Sequence, residues 1–276
     1  MRKVFLASGV QSSALGFGCA PILGPIGSQQ ARNAIACALD AGVNHFDVAR
    51  CYGYGDAEKF VGRVLQERRS SVVIASKFGL EATTLARFLR PAKPVVRWLR
   101  ETRGQSLPQT RRASGKRNHS LLRKRPITGR TMLESLNKSL RALGTDYLDI
   151  LFLHEPEWDR LPVEEVADAA AKLKRQGKIL AFGAAFYRDG RRFSELPQGV
   201  FDVLQFDAPR LDSDDESALD DRRDQANVLF SPFRTGKATS DNTKVLSRLF
   251  RDFPNSVVLC SMFNPAHIRS NAASAM

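Results

Sequence analysis

Short apolar runs alternate with stretches of helical period along most of the chain. From residue 28 onward, each apolar run is followed by a segment such as SQQARNAIACALDAG or TGRTMLESLNKSLRALG, in which apolar positions recur on one helix face. The first segment begins with a serine that we predict as the helix N-cap, and the second ends on a glycine C-cap. Regular alternation of strand and helix predicts a parallel sheet built from βα units.

Eight strands are predicted in this way. They are LGFG (15–18), HFDV (45–48), VVIASK (72–77), LDILFLH (148–154), ILAFGAA (179–185), DVLQF (202–206), VLFSP (228–232) and VVLCS (257–261). Eight βα units close a (β/α)8 TIM barrel, which typically takes about 250 residues. We therefore predict one domain over residues 1–276. The KVFL and QSSA runs that flank ASGV predict an N-terminal β-hairpin across the amino-terminal mouth of the barrel.

The excess positive charge of the chain lies in one segment. The sequence has 42 Lys and Arg against 29 Asp and Glu, a net charge of +13, and the 14 basic and two acidic residues between Glu81 and Arg130 account for +12 of it. Residues 81–127 also interrupt the strand–helix pattern, so we predict a basic, flexible insertion after the third strand. Three roles stay open for it: a solvated excursion, a lid over an anionic ligand, or contact with nucleic acid or an anionic membrane.

Several functional classes are disfavoured by composition. The longest apolar runs fall short of the roughly 20 residues that a membrane span needs. The first residues have no sustained apolar stretch, so we predict no signal peptide and expect a cytoplasmic protein. The four cysteines are far apart, which predicts neither a disulfide framework nor a metal site. A single barrel buries its core without a partner, and a monomer is the default expectation.

Four polar residues fall at or just past the predicted strand ends: Asp47, Tyr52, Lys77 and His154. Active sites of such barrels form at the carboxyl ends of the strands, so these side chains are expected to converge. A buried Lys77 paired with Asp47 is predicted to lower the pKa of Tyr52 from about 10 and make it a proton donor. His154 would donate a hydrogen bond to a substrate carbonyl oxygen. Taken singly, each has a structural alternative, such as a helix cap, a core aromatic or a hydrogen-bonded histidine.

Five stretches of the chain share a family pattern: GVNHFDVARCYGYGDAEKFVGRVL, VVIASKFG, LRALGTDYLDILFLHEPE, ILAFGAA and NPAHIRSNAASA. By this pattern the chain resembles the aldo-keto reductase superfamily over nearly its whole length. Members of that superfamily reduce carbonyl groups with a nicotinamide cofactor on an (α/β)8 barrel. The resemblance implies a tetrad of Asp47, Tyr52, Lys77 and His154, with Tyr52 as general acid. It implies an aldehyde or ketone as the small-molecule substrate and NADPH, or alternatively NADH, as the cofactor.

The resemblance also implies a cofactor site. Gln205 would hold the carboxamide, Phe230 would stack on the nicotinamide ring, and Ser231 would touch the pyrophosphate. Near the C-terminal end, the candidates for binding the 2′-phosphate end of the cofactor are Ser261, Asn264, Arg269 and Asn271. Arg269 has an alternative role as a solvent-exposed charge on a helix.

The chain departs from the family pattern after the glycine of the fifth predicted strand. Ala185 and Phe186 stand where the family usually has a Ser-Asn pair that grips the carboxamide. This departure motivates an alternative function, in which a catalytically weak or inactive barrel acts as a cofactor sensor or an interaction module.

Overall fold

The structure is a computed structural model that describes residues 1–83, 122–188, 193–209, 217–233 and 242–276. The strands are β1 (Lys3–Ala7), β2 (Val10–Ser13), β3 (Leu15–Gly18), β4 (His45–Asp47), β5 (Val73–Phe78), β6 (Leu80–Ala82), β7 (Leu122–Lys124), β8 (Leu148–His154), β9 (Ile179–Phe186), β10 (Val203–Asp207), β11 (Asn227–Phe230) and β12 (Val257–Cys260). The eight predicted strands, β3 to β5 and β8 to β12, form a closed parallel barrel in chain order. The predicted TIM barrel is thereby confirmed.

The α-helices of the described residues each follow a barrel strand along the chain. They are α1 (Ser28–Asp40), α2 (Ala57–Leu65), α3 (Gly129–Leu143), α4 (Val163–Arg175), α5 (Asn242–Asp252) and α6 (Pro265–Ala273). Gly144 ends α3 in the left-handed conformation with φ 68°, which confirms the predicted C-cap. The predicted serine N-cap of α1 is wrong, because Gly27 takes the extended backbone of the cap and Ser28 is already helical. The connections after β9 and β10 contain 3₁₀ turns at Phe193–Glu195 and Ser217–Arg222.

The predicted N-terminal hairpin is confirmed as an antiparallel pair of β1 and β2. It is fixed to the start of β4, since the Ser13 backbone N–H donates to Asn44 Oδ1 and Ser12 Oγ lies 3.0 Å from His45 Nδ1. The amino end of a parallel strand marks the amino-terminal mouth of the barrel. The hairpin therefore covers the mouth opposite the strand ends where an active site is expected.

Alternate side chains of the strands face the barrel interior. The register pairs His154 with Ala185 and Ala185 with Gln205, so these three positions share one layer near the carboxyl ends of β8, β9 and β10. One layer below, a Cβ atom at Gly183 would lie 2.6 Å from the fully buried ring of Phe152. The absence of a side chain at Gly183 thus leaves space for the Phe152 ring, which lies one layer below His154 and Gln205.

The two ends of the predicted insertion are ordered strands, so the prediction of flexibility is wrong for them. β6 and β7 pair antiparallel, with Ala82 opposite Leu122. Glu81 is buried in this ribbon and lies 3.8 Å from Arg123 and 4.0 Å from Arg125. The rest of the prediction for 81–127 falls on residues 84–121, outside the described residues. Within the described parts of the chain, no helix is long and apolar enough to cross a membrane.

Candidate active site

A buried carboxylate links three strands at the centre of the barrel. Lys77 Nζ donates to Asp47 Oδ1 and, at 3.3 Å, to the Val48 carbonyl oxygen. Gln205 Nε2 donates to Asp47 Oδ2 at 2.8 Å. Asp47, Lys77 and Gln205 are 4%, 3% and 1% exposed. Both oxygens of the carboxylate are therefore held, as a buried charge requires if it is not to cost several kcal/mol.

Tyr52 and His154 stand beside this pair. Their ring centroids are 6.2 Å apart with an interplanar angle of 87°, and Lys77 Nζ lies 5.3 Å from the centroid of the Tyr52 ring. Tyr52 is placed by a tight turn after β4, in which Gly53 and Tyr54 are both left-handed, with φ 58° and 60°. The structure thus brings together the four residues that the sequence placed at successive strand ends.

The pKa of Tyr52 departs from the sequence-based expectation. Burial raises the pKa of the phenol well above its usual value, and the negative charge of Asp47 adds to the rise. The predicted lowering of this pKa by Lys77 is wrong, because desolvation of the buried phenol is the largest effect and raises the pKa. Tyr52 therefore keeps its proton throughout the neutral pH range.

Left-handed backbone conformations occur at two strand ends around the site and in the turn that carries Tyr52. Glu155 directly follows His154 and has φ 54°, and Ser231 directly follows Phe230 with the same φ. With Tyr54, they make three of the four non-glycine residues of positive φ in the described ranges. Such residues cost about 1–3 kcal/mol each and tend to cluster at functional sites. The sequence pattern gave no signal for them, because none is a glycine or an asparagine.

A second buried ion pair, also missed in the sequence, anchors the turn that carries Tyr52. Arg50 Nη1 lies 2.8 Å from Glu58 Oε2, and Ser76 Oγ donates to Glu58 Oε1 at 2.7 Å. Glu58 is 1% exposed. Ser76 is the neighbour of Lys77 on β5, so the network ties the turn, α2 and the Lys77 strand together. The available signal was that Glu58 lies on the apolar face of α2, three residues before Val61.

Tyr187 is a further residue at this face that the sequence analysis did not single out. Its ring packs edge-on against Phe230, with centroids 5.0 Å apart and an interplanar angle of 89°. Tyr187 follows the end of β9, and its negative charge, when ionised, is among the smaller causes that raise the pKa of Tyr52. The two aromatic rings form a wall at the ends of β9 and β11.

The residues at the Ser-Asn positions have separate surroundings. Ala185 shares the inward layer with His154 and Gln205. Phe186 faces outward, 5.2 Å from the Trp158 ring and 6.4 Å from the Phe206 ring. A methyl group and a core aromatic therefore replace the expected polar pair.

Gln205 retains a free acceptor in the same layer. Its Nε2 is turned to Asp47, and its buried Oε1 has no hydrogen-bond partner among the described residues. This orphaned oxygen fits a donor such as a carboxamide N–H. Phe230, half-buried, and Ser231, exposed, lie at the end of β11. The residues present thus fit a nicotinamide, with one acceptor and an aromatic wall.

The four C-terminal candidates divide into two groups. Ser261 Oγ donates to the Gly18 carbonyl oxygen at 3.2 Å, Asn264 caps α6 by accepting from the Ala266 N–H, and Arg269 is exposed on the same helix. Asn271 is buried and donates to Met262 Sδ at 3.6 Å. The first three side chains lie at the surface, whereas Asn271 is engaged inside the molecule.

Comparison with known proteins agrees with this architecture. Residues 14–197 match the model of the Aldo/keto reductase family. The chain is 27% identical over 184 residues to aldo-keto reductase YhdN of Bacillus subtilis, covering 64% of this chain and 44% of that protein. It is 28% identical over 191 residues to L-glyceraldehyde 3-phosphate reductase of Escherichia coli K12, covering 67% and 44%. These alignments span less than half the length of either relative.

A solved structure shows the same fold. The aldo-keto reductase from Klebsiella pneumoniae in complex with NADPH superposes with a TM-score of 0.67 at 19% identity, covering 100% of this chain and 90% of that one.

Proposed function

The chain belongs to the aldo/keto reductase family, and from that premise we propose that it reduces an aldehyde or ketone to an alcohol with NADPH. The observation that carries the proposal is the convergence of the buried Asp47–Lys77 pair with Tyr52 and His154 at the carboxyl ends of the barrel strands. A proton donor, a hydrogen-bond donor and a fixed ion pair at one point suit a reaction in which negative charge develops on a carbonyl oxygen.

The side chains have separate roles in this reaction. Tyr52, protonated because burial raises its pKa, gives its proton to the substrate oxygen. His154 donates a hydrogen bond to the same oxygen, and Lys77, held by Asp47, stabilises the phenolate that Tyr52 becomes. NADPH, when bound, supplies the hydride. The Arg50–Glu58 pair keeps the Tyr52 turn in place.

We assign cofactor binding to residues near the ends of β10, β11 and β12. Gln205 Oε1 would accept from the carboxamide, Phe230 would pack on the nicotinamide, and Ser231 and Ser261 would contact the phosphates. Asn264 and Arg269 offer an amide and a guanidinium to the adenosine end. Asn271 would have to leave Met262 before it bound the cofactor. The exposed Arg269 favours NADPH over NADH, because a guanidinium pairs well with the 2′-phosphate.

A second function is supported by Ala185. The methyl group at this inward position offers no hydrogen bond to a carboxamide, so the cofactor would be held by fewer polar contacts. A barrel of this kind that bound the cofactor without turnover would act as a sensor or an interaction module. Slow oxidation of the cofactor with every carbonyl tested, despite measurable binding, would favour this alternative.

The experiment is a fluorescence titration with NADPH and NADH, followed by a panel of aromatic, aliphatic, sugar and phosphorylated aldehydes. Tyr52→Phe is expected to keep cofactor affinity and to lose about 100-fold or more of kcat, as removal of a general acid does. Tyr54→Phe, on the same turn, is the matched control and should keep the rate. Turnover that survives in Tyr52→Phe would contradict the proposed acid.

A further inference from the structure

We propose that Cys51 is a reactive thiol of the candidate active site, which adds to α,β-unsaturated aldehydes and ketones with His154 as its base. Cys51 Sγ lies 4.0 Å from His154 Nδ1, within hydrogen-bonding range for sulfur. Both residues are half-buried, and Cys51 directly precedes Tyr52. The thiol is thus placed where a bound carbonyl compound would lie.

The other three cysteines of the chain have different surroundings. All four are free thiols. Cys19 and Cys260 are fully enclosed, and burial raises the pKa of Cys260 to about 12. Cys37 is half-buried like Cys51, but its Sγ lies 4.0 Å from the Pro265 carbonyl oxygen. A carbonyl oxygen accepts a hydrogen bond without taking up the proton, whereas an imidazole nitrogen can take it. Cys37 is therefore a natural internal control.

An independent observation points to a ligand in the layer that holds His154, the partner of this thiol. Gln205 is 1% exposed, and its Oε1 has no hydrogen-bond partner within the part of the chain that the structure describes. Its orientation is fixed, because Nε2 must face Asp47 Oδ2 to donate to it. The layer that Gln205 shares with His154 thus holds a buried acceptor suited to a bound molecule, and Cys51 contacts that layer through His154.

The tautomer of His154 links the thiol to carbonyl binding. For Nδ1 to accept from the Cys51 thiol, the ring proton must be on Nε2. In that tautomer Nε2–H is the ring donor, which is the form that the proposed hydrogen bond to a carbonyl oxygen requires. One imidazole can therefore hold the carbonyl of an unsaturated compound and accept the proton of the thiol that attacks it.

The addition is balanced without any oxidant. The thiol proton passes to His154 Nδ1, the sulfur forms a bond to the β-carbon, and the carbon–carbon π bond breaks. The proton then ends on the α-carbon, which regenerates the neutral imidazole and leaves a thioether that keeps its carbonyl group. The protein gains the full mass of the unsaturated compound. This inference deepens the proposed function, on which its choice of carbonyl ligand rests, by naming a carbonyl class that blocks the site.

The test is intact-mass spectrometry and peptide mapping of the full chain incubated with trans-2-hexenal, with saturated hexanal as the control. We expect one stable adduct, on Cys51, formed faster than any on Cys37, and no such adduct with hexanal. Cys51→Ser should abolish the adduct and Cys37→Ser should leave it unchanged. His154→Gln should slow labelling of Cys51 by about 100-fold, the lower range for a positioned general base. Its thermal unfolding is measured alongside.

Two results would overturn the proposal: labelling of Cys37 as fast as that of Cys51, or unchanged labelling of Cys51 in folded His154→Gln. Tyr52→Phe separates this inference from the reductase. It should label like the unmodified chain, because the phenol takes no part in the addition. If the chain reduces saturated aldehydes but is not labelled, the reactive thiol is refuted and the reductase proposal stands. If the chain is labelled but shows no turnover, the reductase proposal is refuted and the reactive thiol stands.

Discussion

Gln205 donates to Asp47 across the full width of the barrel. The 2.8 Å hydrogen bond joins β10 to β4, which lie opposite each other in the ring of eight strands. It meets the Asp47 carboxylate on the side away from Lys77, and so fixes the orientation of the ion pair. The polar centre of the site is thus supported from both halves of the barrel.

The Asp47–Lys77 pair gives a first prediction. Asp47→Asn leaves the Lys77 ammonium buried without its counter-charge, which should lower the free energy of unfolding by about 3–5 kcal/mol. The double variant Asp47→Asn, Lys77→Met removes the buried charge and should recover part of this loss. Urea denaturation at neutral pH measures both. Equal stability of the single and double variants would contradict an unpaired Lys77 charge as the cause of the loss.

The Arg50–Glu58 pair gives a second prediction, for the turn that carries Tyr52. Glu58→Gln should destabilise the chain by about 3 kcal/mol, because it leaves the Arg50 guanidinium without a carboxylate in a buried site. Glu67→Gln, an exposed substitution just after α2, is the control and should change stability by no more than about 0.5 kcal/mol. Chemical denaturation distinguishes them, and an equal effect of the two would contradict the anchoring role.

His45 gives a prediction about pH. Burial lowers the pKa of this histidine from about 6.5 to about 4 in the folded chain. Below the unfolded pKa the unfolded chain binds a proton that the folded chain does not, so stability falls as the pH drops from about 6.5 towards 4. From pH 7 to pH 5 this contribution is about 2 kcal/mol. His45→Gln should lose that part of the pH dependence, which denaturation at the two pH values would measure; an unchanged dependence would refute it.

Ser231 gives a prediction about backbone strain. Its φ of 54° is left-handed, and glycine adopts that conformation without the clash that a Cβ causes. Ser231→Gly should therefore raise the free energy of unfolding by about 1 kcal/mol, measured without cofactor. Ser231→Val, which adds a β-branched side chain, should lower it. Stabilisation by both substitutions would show that strain at this position is not the cause.

Much of the fold could be predicted from the local pattern of apolar and polar residues, whereas the site could be predicted only in part. Buried parallel strands read as apolar runs, and polar residues at their ends identified Asp47, Lys77 and His154. The direction of the Tyr52 pKa shift could not be predicted in this way, because it depends on how far the phenol is buried in the folded chain. The hydrogen bond from Gln205 to Asp47 also escaped, since it joins residues 158 positions apart on opposite strands. The predicted N-cap of α1, Ser28, was wrong by one residue, because the extended backbone that defines the cap is that of Gly27.

Because β6 and β7 are paired, the geometry of the barrel does not depend on the length of the chain between these two strands. The chain leaves the ribbon at Ala82 and returns to it at the paired residue Leu122, so both ends are fixed at the same place. The Gly79 carbonyl oxygen also accepts from the Arg125 N–H at 2.8 Å, which secures the base. Exchange of residues 84–121 for a short hairpin turn should therefore leave the catalytic strands in register. The ribbon therefore holds the two ends of this connection together independently of the number of residues between them.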